Sequence, residues 1–214
     1  MAVEVKKCII ISGAPDDDYA FLKENIDTSA YIIAADSGYQ KLLKIGITPN
    51  LILGDFDSSP KPNVQCDIEV LPCEKAYSDT FECVKFAVDK GYNHISIFGA
   101  IGSRMDHTYA NILCLDYCRK NGVFCEIVNR KNRLSLIEGK KEIKKEYENF
   151  SLFAYLTDCK EVRIKGAYYT AGFYNLDALD INLGDQFALS NFVNDEKCEI
   201  SLKKGVLLLI ESND

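Results

Sequence analysis

No Cys-x-x-Cys pair occurs anywhere in the chain, although it holds nine cysteines. That spacing excludes the common zinc and dithiol motifs, and the odd number argues against a closed disulfide framework. Most of the nine sit in apolar runs, where reduced thiols act as small hydrophobes. No apolar run reaches membrane-spanning length, and no signal-peptide core follows Met1, so a cytoplasmic protein that does not engage membranes is expected. Excess positive charge is missing too: the net charge is −7, which excludes nonspecific binding to nucleic acid or anionic membranes. No Gly-x-x-x-x-Gly-Lys-Ser/Thr run is found, which disfavours ordinary P-loop chemistry. Proline is confined to one part of the chain, with all five residues before position 73.

The hydrophobic share of 47% and charged share of 27% are those of a globular protein. At 214 residues the chain makes one large domain or two modest ones. Residues 7–11 read as a buried first strand, followed by a helix opening at Asp16, Asp17 and Asp18 and running to about Asn25. Tyr31 to Ala35 is a second strand. The helix after it turns Leu42, Leu43 and Ile45 inward and stops at Gly46. Leu51 to Leu53 and Ile68 to Leu71 are further strands. Ser78 or Asp79 caps the next helix, with Glu82 placed for a capping box with Asp79. His94 to Phe98 is a strand, and the helix beyond it carries Ala110, Leu113, Cys114 and Tyr117 on one face. Val123 to Val128 closes this half.

Strand and helix alternate throughout that half, which implies a mostly parallel sheet covered by helices. From about Arg130 the texture changes to short apolar or alternating runs at 133–137, 150–156, 161–164, 186–189, 198–202 and 206–210. The run Lys140 to Glu148 reads as a solvated hairpin. The expected fold is therefore an α/β N-terminal domain over residues 1–130 and a C-terminal antiparallel β-sandwich or jelly-roll-like domain over residues 131–214.

In parallel α/β sheets, ligands bind beyond the carboxyl ends of the strands. The clusters at 12–15, 36–38, 54–58 and 99–107 all fall there. In Leu51-Ile52-Leu53-Gly54-Asp55-Phe56-Asp57-Ser58, a short strand turns at Gly54, and Asp55 and Asp57 project to one side. Paired carboxylates at such an end suit Mg²⁺ on a nucleotide's phosphates, since Mg²⁺ takes oxygen ligands. The competing reading is a surface turn whose Asp and Ser side chains bond their own backbone. Within Gly99 to Asn111, the glycines allow close backbone approach, Arg104 can clamp phosphate oxygens, and Asp106 and His107 open a helix whose N–H groups favour an anion. The competing reading makes Asp106 an N-cap and Arg104 its ion-pair partner. Asp79 is a third candidate carboxylate at a strand-to-helix turn, or a simple cap. His94, at a strand start, reads as structural.

These motifs in this order resemble the thiamine pyrophosphokinase family. They are Ala35-Asp36-Ser37-Gly38, Gly54-Asp55-Phe56-Asp57-Ser58, Ser78-Asp79, Gly99 to Thr108, and Asn111. The likeness continues through Ser151-Leu152-Phe153, Val162 to Gly166, Ser190-Asn191-Phe192 and Gly205 to Ile210. The resemblance implies a homodimer with active sites at the subunit interface. It also implies transfer of the β,γ-pyrophosphoryl group of ATP to the thiamine hydroxyl. Asp55, Asp57 and Asp79 would hold Mg²⁺ and the triphosphate, and Asp106 would assist at the acceptor hydroxyl. Asp36, Gly54, Gly102, Arg104 and His107 would serve the ATP and phosphate side, with Ser190 and Asn191 lining the thiamine pocket.

The chain departs from the family at several places. Ala76 stands where the family often has a further Asp, and Ser37 and Ser103 stand where glycine is common. Tryptophan, on which some members stack thiamine, is missing; Tyr168, Tyr169, Phe173 and Tyr174 are the aromatic residues available instead. Two rival readings remain open at this level. One is pyrophosphoryl transfer to another heterocyclic alcohol such as a pterin. The other is a non-catalytic thiamine- or nucleotide-binding regulator.

Overall fold

The computed structural model describes residues 4–15, 18–56 and 62–214. The chain divides into two compact units, Met1–Arg130 and Lys131–Asp214. Among the described residues no helix is long and apolar enough to cross a membrane.

The first unit alternates strand and helix: β1 (Lys7–Ile11), α1 (Tyr19–Asn25), β2 (Tyr31–Ala35), α2 (Gly38–Lys44), β3 (Leu51–Gly54), β4 (Asp67–Val70), α3 (Asp79–Asp89), β5 (His94–Phe98), α4 (Met105–Lys120) and β6 (Phe124–Val128). Its strands lie in the order β4-β3-β2-β1-β5-β6, and every pairing is parallel. The central strands are continuous apolar runs because helices cover both faces. Ile10, Ile11, Ile33 and Ile52 are fully buried, each stabilising the unit by roughly 1.5–3 kcal/mol. From β1 the chain winds outward through β2, β3 and β4, then returns to place β5 on the other side of β1. That reversal opens a crevice beyond the carboxyl ends of β1 and β5.

The caps and buried faces refine the sequence reading. Helix α1 starts at Tyr19, with the Asp18 carboxylate accepting from Phe21 N–H at 2.9 Å; Asp16 and Asp17 lie outside the described residues. Ser78 caps α3, its hydroxyl accepting from Phe81 N–H at 3.2 Å. Asp79 is thus the first helical residue and its carboxylate is released from capping. The expected Asp79–Glu82 box does not form, and Glu82 pairs with Lys85 at 3.4 Å. Helix α2 buries Gly38, Lys41 and Leu42 and leaves Leu43 exposed. Helix α4 buries Thr108, Asn111, Cys114, Leu115 and Cys118, and Leu113 faces outward. Its inner face is rotated from the expected stripe because three of its buried positions, Thr108, Asn111 and Asp116, are polar.

The second unit holds β7 (Asn132–Ile137), β8 (Lys140–Lys144), β9 (Asn149–Ala154), β10 (Cys159–Lys165), a 3₁₀ turn (Ala171–Tyr174), β11 (Leu179–Ile181), β12 (Lys197–Ser201) and β13 (Leu207–Ser212). One layer runs β7-β13-β9 and the other β11-β10-β12-β8, with antiparallel pairing throughout. Phe150, Leu152, Leu207 and Leu209 from the first layer share one core with Val162, Ile181, Cys198 and Ile200 from the second. Two expectations fail here. The run 186–189 is not a strand but part of the connection from β11 to β12. The expected hairpin at Lys140 to Glu148 does not form either: β8 crosses to the second layer to pair with β12, burying Ile143.

Candidate active site

A cleft of about 430 Å³ opens at the crevice beside β1 and β5. It is built from strand-end loops. Ser12 to Pro15 follow β1, Asp36 and Ser37 follow β2, and Ala100, Gly102 and Arg104 follow β5; Cys73, Lys75 and Tyr77 precede α3.

On one side stand acids from separate turns. Asp36 has φ +44° and its N–H donates to the Leu53 carbonyl at 2.9 Å, extending the β2–β3 ladder. Gly54 makes that turn possible, since a Cβ there would come within 2.9 Å of Asp36 Cα. One Asp36 carboxylate oxygen is buried without a hydrogen-bond partner among the described residues. The orphaned acceptor is a place where a cation or donor belongs. Lys75 pairs with Asp55, and its Nζ lies 3.1 Å from Asp79 Oδ1. The second contact is an ion pair whose direction falls short of a hydrogen bond.

Burial pushes the Asp79 carboxyl up. The Lys75 ammonium opposes that rise, and the nearby Asp55 and Asp36 carboxylates add to it. For Lys75, burial works against the charge, but pairing with Asp55 and Asp79 prevails and raises the ammonium above its ordinary value. The donor set is entirely carboxylate oxygen, which suits a hard cation such as Mg²⁺. Among the described residues, no three acidic, histidine or cysteine side chains form a metal cage by themselves. Lys75 stands between two of the acids.

On the other side is a backbone cradle. Gly99 has φ +60°, and a Cβ there would lie 2.6 Å from the Ser12 carbonyl oxygen and 2.8 Å from Lys41 Nζ. Lys41 is buried and donates to the Ala14 carbonyl, holding the loop after β1. Thr108 Oγ1 accepts from Gly102 N–H at 3.1 Å, and the Asn111 amide donates to the Ala100 carbonyl at 2.8 Å. Helix α4 thus fastens the loop that leads into it. Arg104, at the N-cap position, makes no side-chain cap and pairs instead with Asp106. Both side chains are open to solvent, at 69% and 64% exposure. The Arg104 guanidinium holds the Asp106 carboxyl down at about 2.

Of the residues singled out by sequence, the cleft brings together Asp36, Asp79, Gly102, Arg104 and His107. Asp55 joins them through Lys75, Gly54 supports Asp36 from behind, and Asp106 stands beside Arg104 at the rim. Asp57 lies outside the described residues. Ser190 and Asn191 belong to the second unit. There the Asn191 side chain is committed to the Tyr169 backbone, donating to its carbonyl at 2.7 Å and accepting from its N–H at 2.9 Å. Asn191 borders a shallow apolar hollow with Tyr169, Tyr174, Phe187 and Leu189. Sequence reasoning missed Lys75, Lys41 and the anchoring roles of Thr108 and Asn111. No local pattern marks Lys75 or Lys41, whereas polar residues in line with Leu115 and Cys118 on α4 could have flagged the other two.

A parallel α/β sheet whose switch point carries clustered acids beside a glycine-bearing anion cradle is the build of a phosphate-handling transferase. The family model for the thiamin pyrophosphokinase catalytic domain matches residues 22–127. The chain belongs to the thiamine pyrophosphokinase family. It is 27% identical to a thiamine pyrophosphokinase of Bacillus subtilis, covering 98% of this chain and 100% of that one. A crystal structure of the thiamine pyrophosphokinase from Bacillus subtilis superposes with a TM-score of 0.86 at 26% identity, covering 98% of this chain and all of the other. A thiamin pyrophosphokinase from Candida albicans shares the fold, with a TM-score of 0.73 at 16% identity over 97% of this chain and 89% of that one.

Proposed function

We propose that this enzyme transfers the β,γ-pyrophosphoryl group of ATP to the hydroxyethyl oxygen of thiamine, giving thiamine diphosphate and AMP. The observation that carries the reading is the convergence of Asp36, Asp55 and Asp79 from three separate turns beside the Gly99–Gly102 loop, in a chain of this family. Asp55 and Asp79, with Asp57 by resemblance, are the residues to hold Mg²⁺. Asp36, with its unpartnered oxygen, faces the same region. When bound there, Mg²⁺ supplies neutralisation of the triphosphate charge.

Backbone of the Gly99–Gly102 loop and the uncapped first turn of α4 receive phosphate oxygens, with Arg104 and His107 beside them. The thiamine oxygen attacks Pβ in line while the bond from Pβ to the α,β-bridging oxygen breaks, and that oxygen leaves with AMP. Held near 2 by Arg104, Asp106 is a weak base. It orients the hydroxyl by accepting its hydrogen bond, and the proton passes to solvent water late, once the oxygen has begun to bond to Pβ. In the second unit, Ser190, Asn191 and the aromatic residues around them form the thiamine side. The active protein is a cytoplasmic homodimer with its sites at the subunit interface.

The test is an assay of purified protein with thiamine, ATP and Mg²⁺, following nucleotide and thiamine products by chromatography, with sedimentation for the dimer. AMP and thiamine diphosphate should form in equal amounts. ADP as the product would contradict the reaction, and preference for a pterin alcohol would contradict the acceptor.

A further inference from the structure

We infer that Lys75 is the resident counter-ion of the metal seat, so that a divalent cation enters only as Lys75 is drawn away by an incoming triphosphate. The inference rests on the metal reading proposed above. The Lys75 ammonium pairs with Asp55 and lies 3.1 Å from Asp79 Oδ1. Its side chain is only 13% exposed, and those of Asp55 and Asp79 are 12% and 25% exposed. A cation occupying these oxygens does what a metal would do there: it offsets acids withdrawn from water. Burying such acids without a partner is costly, so the apo protein gains by keeping the lysine in place.

The same geometry sets a competition. Mg²⁺ needs the lone pairs that Lys75 holds, and an ammonium and a dication cannot share them at such short range without strong repulsion. Lys75 is itself part of the cleft wall, and its flexible four-carbon stem lets the charge turn toward phosphate oxygens. A triphosphate therefore provides Lys75 with a new anionic partner at the moment its carboxylates are needed. The Asp36 oxygen that lacks a partner fits this account, because one ammonium covers two of the three acids and leaves the third for another cation. Free metal binds weakly, and metal and nucleotide bind with strong mutual gain.

The test titrates Mn²⁺ alone, by electron paramagnetic resonance, into the wild-type chain, Lys75→Met and Lys75→Gln, each checked for fold by circular dichroism. The glutamine variant keeps a hydrogen-bond donor should the methionine variant not fold. Both variants should bind Mn²⁺ about tenfold or more tightly than wild type, reflecting loss of a competing charge. Adding Asp79→Asn to either should remove the gain. Equal Mn²⁺ affinity in wild type and variants overturns the inference. If Mn²⁺ binds neither wild type nor the variants alone yet enters wild type with ATP, read as enhanced water-proton relaxation, the inference fails and the metal reading stands. No Mn²⁺ at the protein under either condition removes both.

Discussion

The Asn111 side-chain amide donates to the Ala100 carbonyl at 2.8 Å, joining the second turn of α4 to the loop after β5. Asn111 is buried, so no water replaces the bond when the amide is lost. Replacing it by leucine leaves the carbonyl unsatisfied, at a cost of about 1–3 kcal/mol. Urea unfolding of Asn111→Leu should show that loss in the midpoint, and KM for ATP should rise as the Gly102 loop slackens. An unchanged KM would dissociate this bond from phosphate binding.

Gly99 and Gly122 separate backbone strain from crowding. Both have positive φ, +60° and +69°, yet a Cβ at Gly122 meets nothing within 4 Å while one at Gly99 strikes Ser12 and Lys41. Gly122→Ala carries the conformational cost alone, about 1 kcal/mol. Gly99→Ala adds displacement of a packed loop and should lose a further 1–3 kcal/mol or so. Equal midpoints for the two variants would contradict the packing described around Gly99.

The strands of the first unit were legible because their apolar runs are short, continuous and ended by Gly, Asp or Ser. Asp36, Gly54, Asp55 and Gly99 were legible for the same reason: they stand where those strands end. Helix α4 was misjudged because counting apolar residues selects the face of Leu113, while Thr108 and Asn111 turn inward to satisfy loop backbone. Lys75 carried no local mark, since its burial depends on Asp55, twenty positions away. In the second unit, Phe187 and Leu189 looked like strand residues but lie exposed. Whether such a run becomes a strand depends on a partner that the local sequence does not specify.

Thiol reactivity should follow burial. Burial pushes Cys8, Cys114 and Cys198 up to about 12, whereas Cys73 is exposed on the cleft. A thiol reagent should modify Cys73 first in the native protein, all nine cysteines of the sequence after denaturation, and Cys73 more slowly with ATP bound. Peptide mapping after brief labelling checks the order, and a buried cysteine labelled first would contradict it.

Acid stability has a definite sign. Arg130 lowers Asp18, Ser29 and then Lys7 lower Asp27, and Arg104 lowers Asp106, each from 3.8 to about 2. These carboxylates contribute stability in full above 3.8, and it is lost as pH falls toward 2. Asp79 runs the other way. Its raised value means that ionisation costs the fold, so its share of stability declines as pH rises past 3.8 through the folded value. The three lowered acids are solvent-facing, so salt should shrink their effect. Urea midpoints taken from about pH 5 to about pH 2 at low and high salt check this. A flat low-salt profile would contradict the pairings.

The most direct test of the central claim, that acids from separate turns gather a metal at the triphosphate, is turnover by Asp79→Asn. Its neutral amide spares the fold the cost of a buried charge, so the melting temperature should hold or rise. Formation of AMP and thiamine diphosphate should fall by about 10²–10³ or more. Full turnover by a folded Asp79→Asn protein would contradict the account.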